Sequence, residues 1–190
     1  MPPDSPRDLI PRDTAHRLVG ALYALADKTR DAAQQWELLD ENGHVPDAPA
    51  YTELIQHAID AQDLSRDILR VTAAFARGPH HATRVGSAVL RHLGVAATTS
   101  SRAAPLFAET AECVLALARC ATPTDRHDLT NRMVIDHASA RACLRRTSES
   151  LRNTVKELND HLDFQRFLTT LMRQEGPPAP PPPNPGGRHR

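Results

Sequence analysis

Between Thr124 and Glu175 the chain runs for 52 residues without a Gly or a Pro. Arg and Leu are the commonest residues there, and both favour helix. One helix of that length would be a rod of ~75 Å at a rise of ~1.5 Å per residue. Such a rod needs long elements to pack against, and a bundle of helices supplies them.

Elsewhere the breakers cluster at Pro11, Gly43–Pro49, Gly78-Pro79 and Pro123, and from Gly176 onward. They divide the chain into helical segments of about 12–42, 50–77, 80–122 and 124–175. In the first, Leu18, Leu22, Leu25, Thr29, Ala32, Trp36 and Leu39 alternate spacings of four and three, a seam of the coiled-coil type. Asp13 or Thr14 is its expected N-cap and Gly43 its stop. In the second, Leu54, Ala58, Ala61, Leu64, Ile68, Val71 and Phe75 form the apolar stripe of an amphipathic helix.

The third segment carries Pro105 after a polar patch at Thr98–Ser101, and Pro is tolerated only near a helix start. Two helices, roughly 80–97 and 102–121, or one sharply kinked helix are expected. The fourth segment, capped by Thr124 or Asp125, places Leu129, Met133, Ala140, Leu144, Leu151, Val155, Leu158 and Leu162 on one face. Phe164, Phe167, Leu168 and Leu171 then follow a shifted register. A bend near Asp160–Asp163, a new helix, or a change of packing partner would produce that shift. The Pro-rich stretch 176–190 cannot build a core and is expected to be a disordered tail, as are residues 1–11.

Hydrophobic residues are 40% of the chain but aromatics only 4%, so the core must be built from Ala, Leu, Val and Ile. Core positions are expected at Leu18, Leu22, Leu25, Trp36, Leu54, Leu64, Ile68, Phe75, Val89, Leu115, Leu144, Leu151 and Leu158. Cys113, Cys120 and Cys143 sit in apolar helical surroundings and read as reduced core thiols, the first two sharing a helix face. No secretory leader is read in Met1–Asp13 and no stretch approaches the ~18 apolar residues of a membrane span, so a cytoplasmic location without a membrane partner is expected.

Net charge is zero, but its distribution is uneven. Residues 1–67 carry 13 acids and 6 bases, net −7. Residues 68–105 carry no acid and five Arg, net +5, and residues 106–190 carry 10 acids and 12 bases, net +2. Arg70, Arg77, Arg84 and Arg91 recur every seven residues in the acid-free block, with His80, His81, His92 and Arg102. That patch suits phosphate, an acidic partner, or the acidic first helix of the same chain.

Within the block, Leu93-Gly94-Val95 is followed by Thr98, Thr99, Ser101 and Arg102. The run resembles the turn and recognition helix of helix-turn-helix repressors. The resemblance implies that Thr98, Thr99, Ser101 and Arg102 face DNA. It departs from the family at Leu90, where a small residue is usual, at Ser100, where a buried Val or Ile is usual, and at Pro105, which would shorten the helix.

The histidines offer no H-x-x-x-H, and Glu41-Asn-Gly-His44 has its Gly in a loop, so no metal or other cofactor is expected. His57 near Asp60, His137 after Asp136, and His161 between Asp160 and Asp163 read as solvated polar faces or helix-end charges. There is no G-x-S-x-G nucleophile elbow and no Gly-rich phosphate loop. The expected fold is all-α, an antiparallel four-helix bundle with a broken third helix and a long C-terminal helix. The expected role is non-enzymatic: a helical interaction or scaffold protein that binds a protein partner or a second copy. The alternative is a DNA-binding regulator using residues 86–104, with Arg77, His80, His81, Arg84, Arg91, Thr98, Thr99, Ser101 and Arg102 as the anion or nucleic-acid site.

Overall fold

A computed structural model describes residues 9–46 and 49–174; the Pro-rich tail expected from 176 and residues 1–8 lie outside them. The described residues form five helices, α1 (Arg12–Gln35), α2 (Tyr51–Arg77), α3 (Arg84–Ser100), α4 (Ala103–Leu117) and α5 (Pro123–Gln174), and among them there is no strand. None of these helices is long and apolar enough to cross a membrane.

α5 is the spine. It packs along α1 on one flank and along α3 and α4 on the other, while α2 packs on α3 and α4 and touches α1 only sparsely. Hydrogen bonds fix the direction of the α1–α5 pairing. Arg141 Nε donates to the Ala33 carbonyl, Ser148 Oγ to that of Ala26, and Gln165 Nε2 to that of Ile10. Numbers rise on one helix as they fall on the other. Ile10 is fully buried, and its N–H donates to His161 Nε2 at 3.2 Å. The packed chain therefore begins inside the N-terminal stretch expected to be disordered.

The helix boundaries follow local chemistry. Thr122 Oγ1 accepts from the N–H of Asp125 and donates to its carboxylate, with Pro123 in the first helical position. This reciprocal cap places the α5 start before Thr124 and Asp125, the expected caps. α1 starts at Arg12 after Pro11, so Asp13 lies in its first turn, where its charge suits the helix dipole, and neither Asp13 nor Thr14 is the cap. It ends at Gln35 rather than near Gly43, because the chain turns into a loop at Trp36. In that loop Asp40 Oδ1 accepts from the N–H groups of Asn42 and His44, and Gly43 takes a positive φ of 79°. The bond from the His44 N–H holds the Asp40 carboxyl below its ordinary range.

α3 and α4 are separated by Ser101 and Arg102. Pro105 supplies the cause: it has no N–H to give to the Ser101 carbonyl, and its ring crowds that oxygen. α5, by contrast, runs unbroken through 160–163.

The interior is stratified. A Leu- and Val-rich layer joins Leu22, Leu25, Ile68, Val89, Leu93, Leu151 and Leu158. A middle layer of Ala32, Ala33, Ala61, Ala103, Ala104 and Ala140 surrounds Phe107 and Leu144. A third holds Leu38, Leu54, Ala111, Cys113, Leu117 and Met133. Hydroxyls stitch the close-packed helices together. Ser150 Oγ donates to the His92 carbonyl at 2.7 Å, Thr99 and Thr147 hydroxyls lie 2.8 Å apart, and Ser100 Oγ donates to Ser65 Oγ at 3.3 Å. Thr29, the polar member of the first seam, satisfies itself by donating to the Leu25 and Ala26 carbonyls.

Most of the expected core is buried or half-buried, but Leu115 is 46% exposed. α4 turns Phe107, Ala111 and Leu117 inward, which leaves Leu115 on the outer side. Cys113 is buried, whereas Cys120 lies beyond the end of α4, so the two share no helix face.

Gly86 marks the tightest approach in the connection before α3. A Cβ there would stand 1.9 Å from the His80 carbonyl oxygen, and that oxygen belongs to the turn that Thr83 caps by accepting from the Gly86 N–H at 3.0 Å. Gly86→Ala must displace backbone, so it is expected to cost about 1–3 kcal/mol. A urea midpoint equal to that of the parent protein would refute this.

Candidate interaction surfaces on α3 and α5

The residues of the acid-free block separate into two groups. Arg84, Ser87, Arg91, Gly94, Val95, Thr98, Ser101 and Arg102 are all exposed. Their spacings of three and four put Arg84, Ser87, Arg91, Thr98 and Ser101 on one outward line along α3, which Arg102 continues at the break. Arg77, exposed at the end of α2, folds back so that its Nε donates to the Ala73 carbonyl. In the connection, His81 is exposed with Nδ1 2.7 Å from the Gly78 carbonyl, while His80 is half-buried. Thr99 differs from the rest: its hydroxyl is engaged by Val95, Ala96 and Thr147, so it faces α5.

Leu93-Gly94-Val95 lies inside α3, and the break comes only at Ser101 and Arg102. The turn implied by the helix-turn-helix resemblance is therefore helical. Pro105 rather than Gly94 sets the break, because Gly is tolerated in a helix supported by packing on both sides while an interior Pro is not.

Seven arginines are paired among the described residues. Arg30, Arg66, Arg70, Arg132, Arg141, Arg152 and Arg166 each meet an Asp or Glu. Among the described residues Arg77, Arg84, Arg91 and Arg102 meet none. The alternative in which the acidic first helix neutralises this block fails, because the α1 backbone lies away from those of α3 and α4. Asp27 of α1 pairs with Arg152 of α5, and Asp27 and Asp31 pair locally with Arg30; Glu37, just past α1, pairs with Arg141. One carboxylate approaches the rim of the α3 face, Glu157, at 4.0 Å from His92 Nε2. Four other acids, Asp31, Asp60, Asp63 and Asp67, line an open cleft of roughly 430 Å³ between α1 and α2.

The second surface is the end of α5. Leu158, Leu162 and Gln165 continue the inward seam, while Phe164 is 48%, Phe167 58%, Leu171 42% and Met172 68% exposed. The register shift seen in the sequence is thus a second apolar stripe on the outer side of the same unbroken helix.

Three histidines read as solvated are in fact buried. His161 receives the Ile10 N–H. His57 stacks on Trp36 at 4.7 Å and meets Phe107 edge-on, as does His137 from α5. His57 Nδ1 and His137 Nε2 have no hydrogen-bond partner. Burial lowers the pKa of all three, and that of His137 falls to about 4, with Arg141 and His57 adding to the effect. Spacing carried the signal: His137 falls between Met133 and Ala140 on the buried seam, and His57 three residues after Leu54. Among the described residues no group of three or more His, Cys, Asp or Glu is placed to hold a metal ion. Comparison of the chain with protein-family models, curated proteins and solved structures finds no match.

Proposed function

We propose that this chain is an antiparallel four-rod bundle, its third rod broken, that acts by binding rather than catalysis and joins to a second copy through the end of α5. The observation that carries this reading is the outward stripe of Phe164, Phe167, Leu171 and Met172 on a helix whose opposite side is already packed. A contiguous exposed apolar patch on a folded chain marks a contact surface. We assign a second, inverted copy as the partner, because two such stripes laid face to face cover each other. Such a contact is isologous and closes on itself. The buried hydroxyls support a binding role, since they are engaged in holding helices together. We place the module in the cytoplasm, where its three free thiols would remain reduced.

Sedimentation over a range of concentrations tests this. The parent protein is expected to dimerise, and Phe164→Glu/Phe167→Glu to remain monomeric with an unchanged helical spectrum. A parent protein that stays monomeric at the highest concentration, or a double variant that dimerises equally well, would overturn the self-association.

A further inference from the structure

We propose that the outward face of α3, with Arg84, Arg91 and Arg102, binds the phosphate backbone of duplex DNA without reading its bases. The inference stands apart from self-association through α5 and rests on the exposed line of arginines in the acid-free block. Seven arginines of the described residues meet a carboxylate, and Arg84, Arg91 and Arg102 are not among them. Along α3 the sequence removes every acid from 68 to 105, and α1, which carries acids, is held away from that face. A helix diameter is ~10 Å, beyond the ~8 Å over which physiological salt screens charge, so zero net charge does not cancel the local field.

Geometry narrows the ligand to a long, regular polyanion. Arg84 and Arg91 are ~10 Å apart along the helix axis, and Arg102 extends the line to ~27 Å. Ser87, Gly94, Thr98 and Ser101 between them are short, so a bulky backbone can approach the helix closely. Guanidinium groups match phosphate oxygens two at a time.

The face carries no aromatic side chain on which unpaired bases could stack, which disfavours single strands. Its one exposed apolar side chain is Val95, too little to enter a lipid surface. We assign no base reading to the face, because the helical Leu93-Gly94-Val95 removes the turn on which the helix-turn-helix resemblance rested.

The test is fluorescence anisotropy with a labelled mixed-sequence duplex, the matching single strand, and phosphatidylserine vesicles scored by co-sedimentation, each titrated from low to physiological salt. The duplex should bind best, regardless of sequence, with a log–log salt slope of about −3, as expected for three neutralised phosphates. Arg84→Gln/Arg91→Gln/Arg102→Gln should weaken duplex binding at low salt by roughly tenfold or more and flatten that slope. Arg66→Gln/Arg70→Gln, which alters exposed but carboxylate-paired arginines, should change it by less than about twofold. Absence of duplex binding at low salt, equal binding by the triple variant with its melting temperature intact, or preference for vesicles or the single strand would each overturn the proposal.

Discussion

Acidification from about pH 7 to pH 4 should destabilise this protein by about 3 kcal/mol through His137 alone. The ring is 3% exposed, lies edge-on to Phe107 at 5.3 Å, and its Nε2 has no partner to share a proton. Burial disfavours the imidazolium first. Arg141 on the same helix and His57 from α2 then add like charge, and together they bring the pKa from 6.5 to about 4. The unfolded chain, at its ordinary value, binds a proton throughout that interval while the folded chain refuses it. Stability is therefore complete above pH 6.5 and declines as pH falls toward 4.

His57 and His161 titrate in the same direction. Burial lowers His57 while Glu53 and Asp60 oppose it, and burial lowers His161 with His80 adding to the effect. His137→Leu, apolar and of similar volume, should keep stability near the parent value at pH 7 and markedly reduce the loss at pH 4.5. Urea midpoints at several pH values decide the matter. If parent and variant lose stability in parallel as pH falls, His137 is not the group responsible.

These histidines show what a sequence can hide. Beside Asp60, Asp136, Asp160 and Asp163 each reads as part of a polar face, yet the Asp side chains turn outward or to the rim and the rings turn in. Spacing from Leu54 and Met133 pointed His57 and His137 inward while the nearby Asp pointed outward, and the packing partner decides between the two. Leu115 errs in the opposite sense: apolar, but on the side of α4 that nothing covers.

The breakers were more informative. Pro105 lacks a donor wherever it stands, so the α3–α4 break was legible, and the stretch free of Gly and Pro is helical as far as Gln174. Phe164 and Phe167 were visible as a shifted register, but only the continuity of α5 turns that shift into an outward stripe. The arginine spacing was legible too. What it lacked was the knowledge that α1 leans on α5 and leaves α3 unneutralised.

The middle layer sets the largest single-residue effect. Phe107→Ala should destabilise the protein by about 3–5 kcal/mol, a large share of the roughly 5–15 kcal/mol that folded domains possess. Phe107 is fully buried where material from every side converges: Trp36 beyond α1 at 5.3 Å, His57 of α2 at 5.8 Å, and His137 of α5 at 5.3 Å. The remaining neighbours are mostly alanines, and a methyl group has no rotamer with which to fill a void. Collapse of the cavity would require whole helices to move against the hydroxyl bonds that register them, so most of the hole should persist. Leu64→Ala, at a half-buried position beside the same layer, should cost less because water already reaches it. A fall in melting temperature of roughly 10 °C for the Phe107 variant, with Trp36 fluorescence shifted by its altered packing, is the expected result. A change of only a degree or two would mean that the alanine layer can close around the gap, and that Phe107 does not organise this part of the core.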